Sequence, residues 1–421
     1  MHPEKKQLLC QISRREVVQM IIDLFGMTWL ILLCSLILAA IDYRVAKRLV
    51  GNRGGKALKR IVVPLWVLDF LPQILSCIFF LICRDNHTWV VKFSSWTFLF
   101  YLMTAVARAP LSLAILVSKS VFARVAGCMV WIAMVAVMVH GVVITRTNYQ
   151  INRVVIESPR VPKNFSGYRI LQLSDLHIGT MLNAEKQISE LAELCNREAA
   201  DMIAMCGDLV NIRCEEITPS ITEALQKFKA RDGIYSIIGN HDVGVYIKDS
   251  ITFTPENNTR QLILQQQGLG WRVLNNSSEK IYSGGDSICV VGIAYQKELQ
   301  DHRHSRKLPE VDFAAAYKGV DSSCFTVTLS HIPQMWDKIL SESHTDLTLA
   351  GHVHAMQIKL PIGKRGISPS ALLYKRWSGL YEEQGRWLYV NDGIGCVGFP
   401  MRIGARPEIT IFELRHAEPK R

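Results

Sequence analysis

The stretch 168–177, YRILQLSDLH, climbs through a short apolar run and stops on Asp175 and His177. The same grammar recurs four times. Asp208 follows Ala204-Met-Cys-Gly207, Asn240 and His241 follow Ile237-Ile-Gly239, His331 follows Val327-Thr-Leu-Ser330, and His352 and His354 follow Leu349-Ala-Gly351. Five apolar runs that each close on carboxylate, amide or imidazole predict five buried strands whose carboxyl ends share one edge, where open α/β sheets place their ligands.

Around those runs, apolar strands alternate with helical patterns. Strands are predicted at 168–173, 202–206 and 233–238, separated by helices at 183–199 and 218–229, an order that implies βαβ units. A helix over 260–267 and strands at 271–274, 280–282, 287–292, 324–329, 347–350, 387–390 and 408–414 add a second sheet, with turns at 275–278 and 283–286. Two packed sheets with helices outside is the economical α/β architecture. The domain so defined runs over 168–421. The polar segment 148–167, with Pro159 and Pro162, is predicted to be a linker.

Charge separates the remainder. Residues 1–146 hold 17 Lys and Arg against 6 Asp and Glu, whereas residues 147–421 hold 31 of each. The net charge of +11 therefore lies in the first third, and a balanced C-terminal half without a basic stripe excludes nucleic acid as the natural partner. Four stretches near 24–41, 61–83, 93–117 and 125–145 have the length and apolarity of bilayer-spanning helices, so 1–147 is predicted to be a transmembrane region of about four helices. Asp69, Pro64 and Pro72 in the second stretch and Arg108 and Pro110 in the third are compatible with a helical bundle, where intramembrane charges pair or snorkel. The segment 42–60 reads as a strongly basic loop, with Arg44, Lys47, Arg48, Arg53, Lys56, Lys59 and Arg60, and such loops face the cytoplasm. Four spans would then put the C-terminal domain outside, although Lys5, Lys6, Arg14 and Arg15 would be outside as well; the side stays open. The chain reads as an integral protein of the plasma or inner membrane.

The ordered blocks Asp-x-His, Gly-Asp, Gly-Asn-His-Asp, a lone His and Gly-His-x-His over 168–357 resemble the calcineurin-like metallophosphoesterases. Gly-His-Val-His-Ala-Met-Gln-Ile and the segment 393–404, GIGCVGFPMRIG, resemble the membrane-attached branch of that family, which includes transmembrane proteins with a metallophosphoesterase domain and UDP-diacylglucosamine hydrolases of the lipid A pathway. The resemblance implies a four-layer α/β/β/α sandwich holding two divalent metal ions. It implies that Asp175, His177 and His354 bind one, that Asn240, His331 and His352 bind the other, and that Asp208 bridges them. One shared carboxylate suits two cations a few ångströms apart, and imidazole, carboxylate and amide donors without thiolate suit Mn, Fe or Zn. His241 would serve as acid or charge stabiliser toward the leaving oxygen, and Asp242 would orient its imidazole.

The function so implied is hydrolysis of a phosphodiester or pyrophosphate bond in a lipid-linked substrate, with UDP-2,3-diacylglucosamine the best named example. A catalytically silent sensor on the same fold, or a transporter with an appended domain, are the competing classes; the intact ligand set speaks against the first and the small number of spans against the second. Other features have blander readings. The run 301–307, DHRHSRK, is a solvated loop more readily than a phosphate site. Trp377, Tyr381 and Phe399 either wall a lipid groove or pack into the core. Cys195, Cys206, Cys214, Cys289, Cys324 and Cys396 show no paired spacing and read as buried thiols. Gly207 and Gly239 precede Asp208 and Asn240, where a missing Cβ lets backbone approach a metal.

Overall fold

The computed structural model describes residues 14–50, 55–82, 88–244, 246–247, 254–295, 311–363 and 365–418. The charged run 301–307, Arg53, Lys5 and Lys6 lie outside them. The described chain falls into two compact units that divide near residue 143.

The first unit is helical: α1 (Arg14–Val50), α2 (Gly55–Ile82), α3 (Thr88–Tyr101), α4 (Ala109–Val117) and α5 (Val121–Val143). Two stretches among the described residues, Thr88–Val117 and Val121–Thr147, are long and apolar enough to cross a membrane, with mean hydropathies of 1.7 and 2.3. The segment 42–60 is not a loop as expected, since α1 continues to Val50 and α2 begins at Gly55. The stretch 93–117 is interrupted as well. A π-helical turn, Leu102–Val106, precedes α4, where Ala107 N–H donates to Leu102 O. Pro110 has no N–H to continue the ladder and its ring would clash one turn back, which accounts for the break. Arg108, at that break, reaches Asp69 at 2.6 Å and Asp42 at 2.9 Å, so these charges pair within the bundle.

The second unit holds two six-stranded sheets. The first sheet has β1 (Gln150–Ser158), β2 (Arg169–Leu173), β3 (Met202–Met205), β4 (Ile234–Ser236), β5 (Arg272–Val273) and β12 (Glu408–His416), in the order β1-β12-β2-β3-β4-β5. The second has β6 (Ser277–Ser283), β7 (Asp286–Gly292), β8 (Phe325–Leu329), β9 (Leu347–Ala350), β10 (Gly379–Glu383) and β11 (Arg386–Val390), in the order β10-β11-β9-β8-β7-β6. Strands β2, β3 and β4 run parallel, as do β7, β8, β9 and β11.

Side-chain alternation builds the layers. Ile170, Tyr235, Phe325, Leu347 and Phe412 meet between the sheets, while Leu171 and Leu173 turn to the opposite face and pack with helix residues. Gln172 crosses between the sheets and donates to Ala350 O at 2.9 Å. Outside the first sheet lie α6 (Ala184–Arg197) and α7 (Pro219–Leu225). Helix α6 starts where Asn183 accepts the Lys186 N–H, and it buries Ile188, Leu191, Ala192 and Cys195 at helical spacing. Truncating Leu191 to Ala in such a site costs about 2–5 kcal/mol. Outside the sheets also lie α8 (Pro255–Gly268) and two short helices, α9 (Phe313–Ala316) and α10 (Trp336–Glu342), the last burying Trp336 and Ile339.

The linker expected over 148–167 contains a nine-residue strand. β1 pairs in parallel with β12 from Gln150↔Glu408 to Ser158↔His416. It forms a sheet edge and buries only Ile156 and Ser158, so it lacks the apolar run that marks the inner strands. The helix expected over 218–229 is shorter, ending at Leu225. Trp377 is 6% exposed and belongs to the helix-side core, with its backbone N–H donating to the Tyr381 hydroxyl. The six cysteines of this unit are free and buried, and Cys289 and Cys324 lie thiol to thiol.

Candidate metal centre

Asp175 and His177 lie just beyond β2, Asp208 beyond β3, Asn240 and His241 beyond β4, His331 beyond β8, and His352 and His354 beyond β9. Parallel pairing aligns the carboxyl ends within each sheet, and the stacking of the sheets brings the two rows together. Asp175, Asp208, Asn240, His331 and His354 are all buried.

The side chains form overlapping clusters with their ligand atoms turned inward. Asp175, His177 and His354 make one group, His177, Asp208 and His241 a second, and Asp208, His331 and His352 a third. His177 Nε2 faces His354 Nε2 at 3.1 Å, and Asp175 Oδ1 lies 3.1 Å from the same His354 nitrogen. On the other side, Asn240 Oδ1 stands 3.0 Å from His331 Nε2 and 2.9 Å from His352 Nδ1. Asp208 Oδ2 lies between the sets, 3.1 Å from His331 Nε2 and 3.6 Å from His177 Nε2. Spacings near 3 Å are those of donor atoms that each sit about 2.0–2.2 Å from a shared transition-metal ion. The donor chemistry therefore fits divalent cations.

Orientation is imposed from behind. His331 Nδ1 donates to Cys206 O at 2.8 Å, which leaves Nε2 as the ring atom turned toward the centre. Asn240 Nδ2 donates to the Tyr246 hydroxyl at 3.1 Å, which turns Oδ1 inward. The His352 N–H donates to both oxygens of Asp175 at 3.1 Å. Asp175, His177, Asp208, His352 and His354 all take left-handed φ, between 45° and 71°. Non-glycine residues held there cost about 1–3 kcal/mol each and concentrate at functional sites. Gly239 has its own reason: a Cβ on it would sit 2.1 Å from Asp208 Oδ1.

Electrostatics follow from burial. Burial would raise the pKa of Asp208, but His331 and His241 outweigh it and hold the carboxyl well below its usual range. Burial likewise works against the charge on His331, yet Asp208 and Asp175 push its pKa up to about 10. His177 is driven well below its ordinary value by burial and then by His241. A cation entering this cluster must displace the His331 proton.

Asp242 departs from its expected part. Its Oδ1 accepts the Val210 N–H at 3.0 Å and its Oδ2 the Gly239 N–H at 2.9 Å, while the His241 ring is held by Asn211 O. Both Asp242 oxygens serve the two loops that carry Asp208 and Asn240. Three further residues were not singled out from the sequence. Glu216, buried, accepts four backbone N–H groups, from Gly179, Asn211, Ile212 and Arg213. Tyr246 packs beside His241 with ring centres 4.5 Å apart and the ring planes tilted by 36°. Arg402, fully buried, donates to the carbonyls of Asp392, Gly395 and Ala405 and lies 3.4 Å from His354 Nδ1.

Residues 168–356 match the calcineurin-like phosphoesterase family. The chain is similar to a Danio rerio transmembrane protein with metallophosphoesterase domain, 27% identical over 94% of this chain and 90% of that protein. An uncharacterised Helicobacter pylori metallophosphoesterase is 31% identical over 58% of this chain and 59% of its own length. Among solved structures, the phosphopantetheinyl hydrolase of Mycobacterium tuberculosis aligns with 56% of this chain and 91% of that one, at 12% identity and a TM-score of 0.34.

Proposed function

We propose, because this chain carries a calcineurin-like metallophosphoesterase domain, that it is a membrane-anchored phosphohydrolase. Asp175, His177 and His354 would hold one divalent cation and Asn240, His331 and His352 a second, with Asp208 shared. The observation that supports this is the place of Asp208 Oδ2, within 3.6 Å of a nitrogen from each set. Mn, Fe or Zn suit the donors. Bound cations would supply Lewis acidity toward phosphoryl oxygens and lower the pKa of water.

The chain's own part is to place a proton. His241 Nδ1 is committed to the Asn211 carbonyl, so Nε2 is the ring atom that meets the leaving oxygen. No protein nucleophile is needed, because water attacks phosphorus in line. Asp242 fixes the Val210 and Gly239 backbones, and with them the loops that carry Asp208, Asn240 and His241.

The anchor is read as four spans, near 24–41, 61–83, 93–117 and 125–145. Two long apolar stretches support it, as do outward-facing Leu36, Leu68, Leu113, Phe122 and Ile132, each more than half exposed. A hydrolase tethered beside lipid suits a lipid-linked phosphodiester or pyrophosphate. UDP-2,3-diacylglucosamine is the named candidate, and a nucleotide-linked lipid would place the catalytic face in the cytoplasm of a cell bounded by that plasma or inner membrane.

Detergent-solubilised protein incubated with Mn²⁺ and UDP-diacylglucosamine, beside Asp208→Asn, tests both levels through release of UMP. Release by the wild type alone supports the enzyme and the substrate. Cleavage of a generic phosphodiester without UMP release keeps the enzyme and discards the substrate. No cleavage of either, with metal bound, overturns the hydrolase.

A further inference from the structure

The segment 358–377, IKLPIGKRGISPSALLYKRW, carries five basic residues and no acidic one; of the five, Lys359 pairs with Asp392 and Arg376 with Asp337 and Glu383, while Arg365 and Lys375 are exposed. It is not loose chain. Leu360 and Ile367 exchange both backbone hydrogen bonds, at 2.8 and 2.9 Å, and Lys359 N–H donates to Ile403 O. The base of the hairpin is fixed by Ser368, whose hydroxyl donates to Ala355 O at 2.6 Å. The described residues of this loop nevertheless leave Leu360 46%, Ile362 59%, Ile367 54% and Leu372 69% exposed. Leu360 and Ile367 are direct cross-strand partners, so they leave the hairpin on one face. Holding large aliphatic side chains in water on a tied-down loop is unfavourable unless something apolar covers them.

Two observations identify the cover. Charge complementarity is the first, because exposed aliphatics interleaved with Arg365 and Lys375 suit an apolar layer faced with anionic headgroups rather than a neutral protein surface. Continuity with the anchor is the second. The loop borders a groove of about 770 Å³ whose lining includes Lys359, Arg365, Arg406 and Gln150. Gln150 follows the apolar stretch that ends at Thr147 by three residues, which at full extension is within about 10 Å. Arg406 grips the chain between them, donating to Asn148 O, Asn148 Oδ1 and Tyr149 O at 2.8–3.0 Å.

We infer that the loop 358–377 is a second membrane contact of the catalytic domain, seating Leu360, Ile362, Ile367 and Leu372 in the interface of an anionic bilayer with Arg365 and Lys375 at the headgroups. The inference rests on the membrane-anchored reading above. It gives that reading a mechanism for presenting lipid to the metal centre, since the same chain segment continues directly from His352 and His354.

The test uses the full chain in lipid discs of phosphatidylglycerol or of phosphatidylcholine, with a photo-reactive benzoylphenylalanine at Ile362 and, in parallel, at Tyr282, which is 73% exposed on β6. Illumination should attach lipid at position 362 about tenfold more than at 282, with the excess falling several-fold in phosphatidylcholine. Arg365→Glu combined with Lys375→Glu should erase the lipid preference while leaving adduct formation in phosphatidylcholine. Equal lipid yields at 362 and 282, or attachment at 362 to protein instead of lipid, overturn the inference. Retention of the chain in membranes after alkaline carbonate extraction shows that such a failure belongs to the loop alone; release by carbonate overturns the membrane anchor itself.

Discussion

His241 Nδ1 lies 2.5 Å from the backbone carbonyl oxygen of Asn211. A carbonyl can only accept, so Nδ1 carries the ring proton and Nε2 is the nitrogen free to exchange one. Burial lowers the pKa of this imidazole, and the Asp208 charge works in the opposite direction. If Nε2 protonates the leaving oxygen, His241→Ala should slow hydrolysis of an alkyl phosphodiester by about 10²–10⁴-fold. A nitrophenyl ester should suffer far less, because nitrophenolate departs without a proton. Comparing kcat/KM for the two esters checks this, and equal losses on both would assign His241 to binding instead.

Asp208 touches both ligand sets, so its removal should affect both. Asp208→Asn keeps the shape but withdraws the charge that holds His331 protonated in the metal-free protein. Metal content measured by elemental analysis should fall below that of the wild type. Affinity should drop by more than about 100-fold, since losing even an outer-shell partner commonly costs 10–100-fold. Replacement at Tyr282, far along the sequence on β6, should leave metal content unchanged.

The inner strands and the clustering of the candidate site residues were legible because both obey local rules. Buried parallel strands such as β2, β3 and β8 are continuous apolar runs, and turning from such a run to Asp or His is visible without any tertiary information. The two strands left unread, β1 and β10, are each the outer strand of a sheet. Their exposed positions admit Arg153, Glu157, Glu382 and Glu383, so the apolar signal is diluted and 148–167 passes for a linker. The basic segment 42–60 misled in another way, because charge density marks a membrane flank but not whether the flank is helical. Partners that act through backbone atoms were also invisible. Asn211 holds His241 by its carbonyl, which every residue has, and Glu216 collects N–H groups from a loop whose shape the sequence does not announce.

Asp242 illustrates the difference between a residue that touches the reaction and one that holds the loops. Its two oxygens accept the buried N–H groups of Val210 and Gly239, and burial followed by the Asp208 charge pushes its pKa up to about 8. Asp242→Ala orphans both donors at roughly 1–3 kcal/mol each. The melting temperature of the chelator-treated protein should therefore drop clearly. Asp242→Asn, which keeps one acceptor oxygen, should drop less. A fully stable Asp242→Ala protein with impaired turnover would instead restore the expected role of orienting His241.

Glu408, which is not among the candidate metal ligands, gives a pH dependence of known sign. It is 3% exposed, and burial followed by the charge of Asp392 raises its pKa above 4.5, against the hydrogen bonds from Tyr389 at 2.5 Å and Thr410 at 2.7 Å. The folded protein thus holds this proton more tightly than the unfolded chain. Its stabilising contribution is complete below about pH 4.5, is lost as pH rises through the folded value, and leaves a constant penalty beyond. Glu408→Gln cannot ionise, and its amide can still meet the Tyr389 hydroxyl. The melting temperature of the variant minus that of the wild type should accordingly climb from pH 4.5 upward and then level off. Taking the difference cancels the titrations that do not interact with Glu408. Melting curves between pH 4 and 8 in one detergent and with a chelator supply the measurement, and a difference that stays flat over that range would show that the buried carboxyl keeps an ordinary pKa.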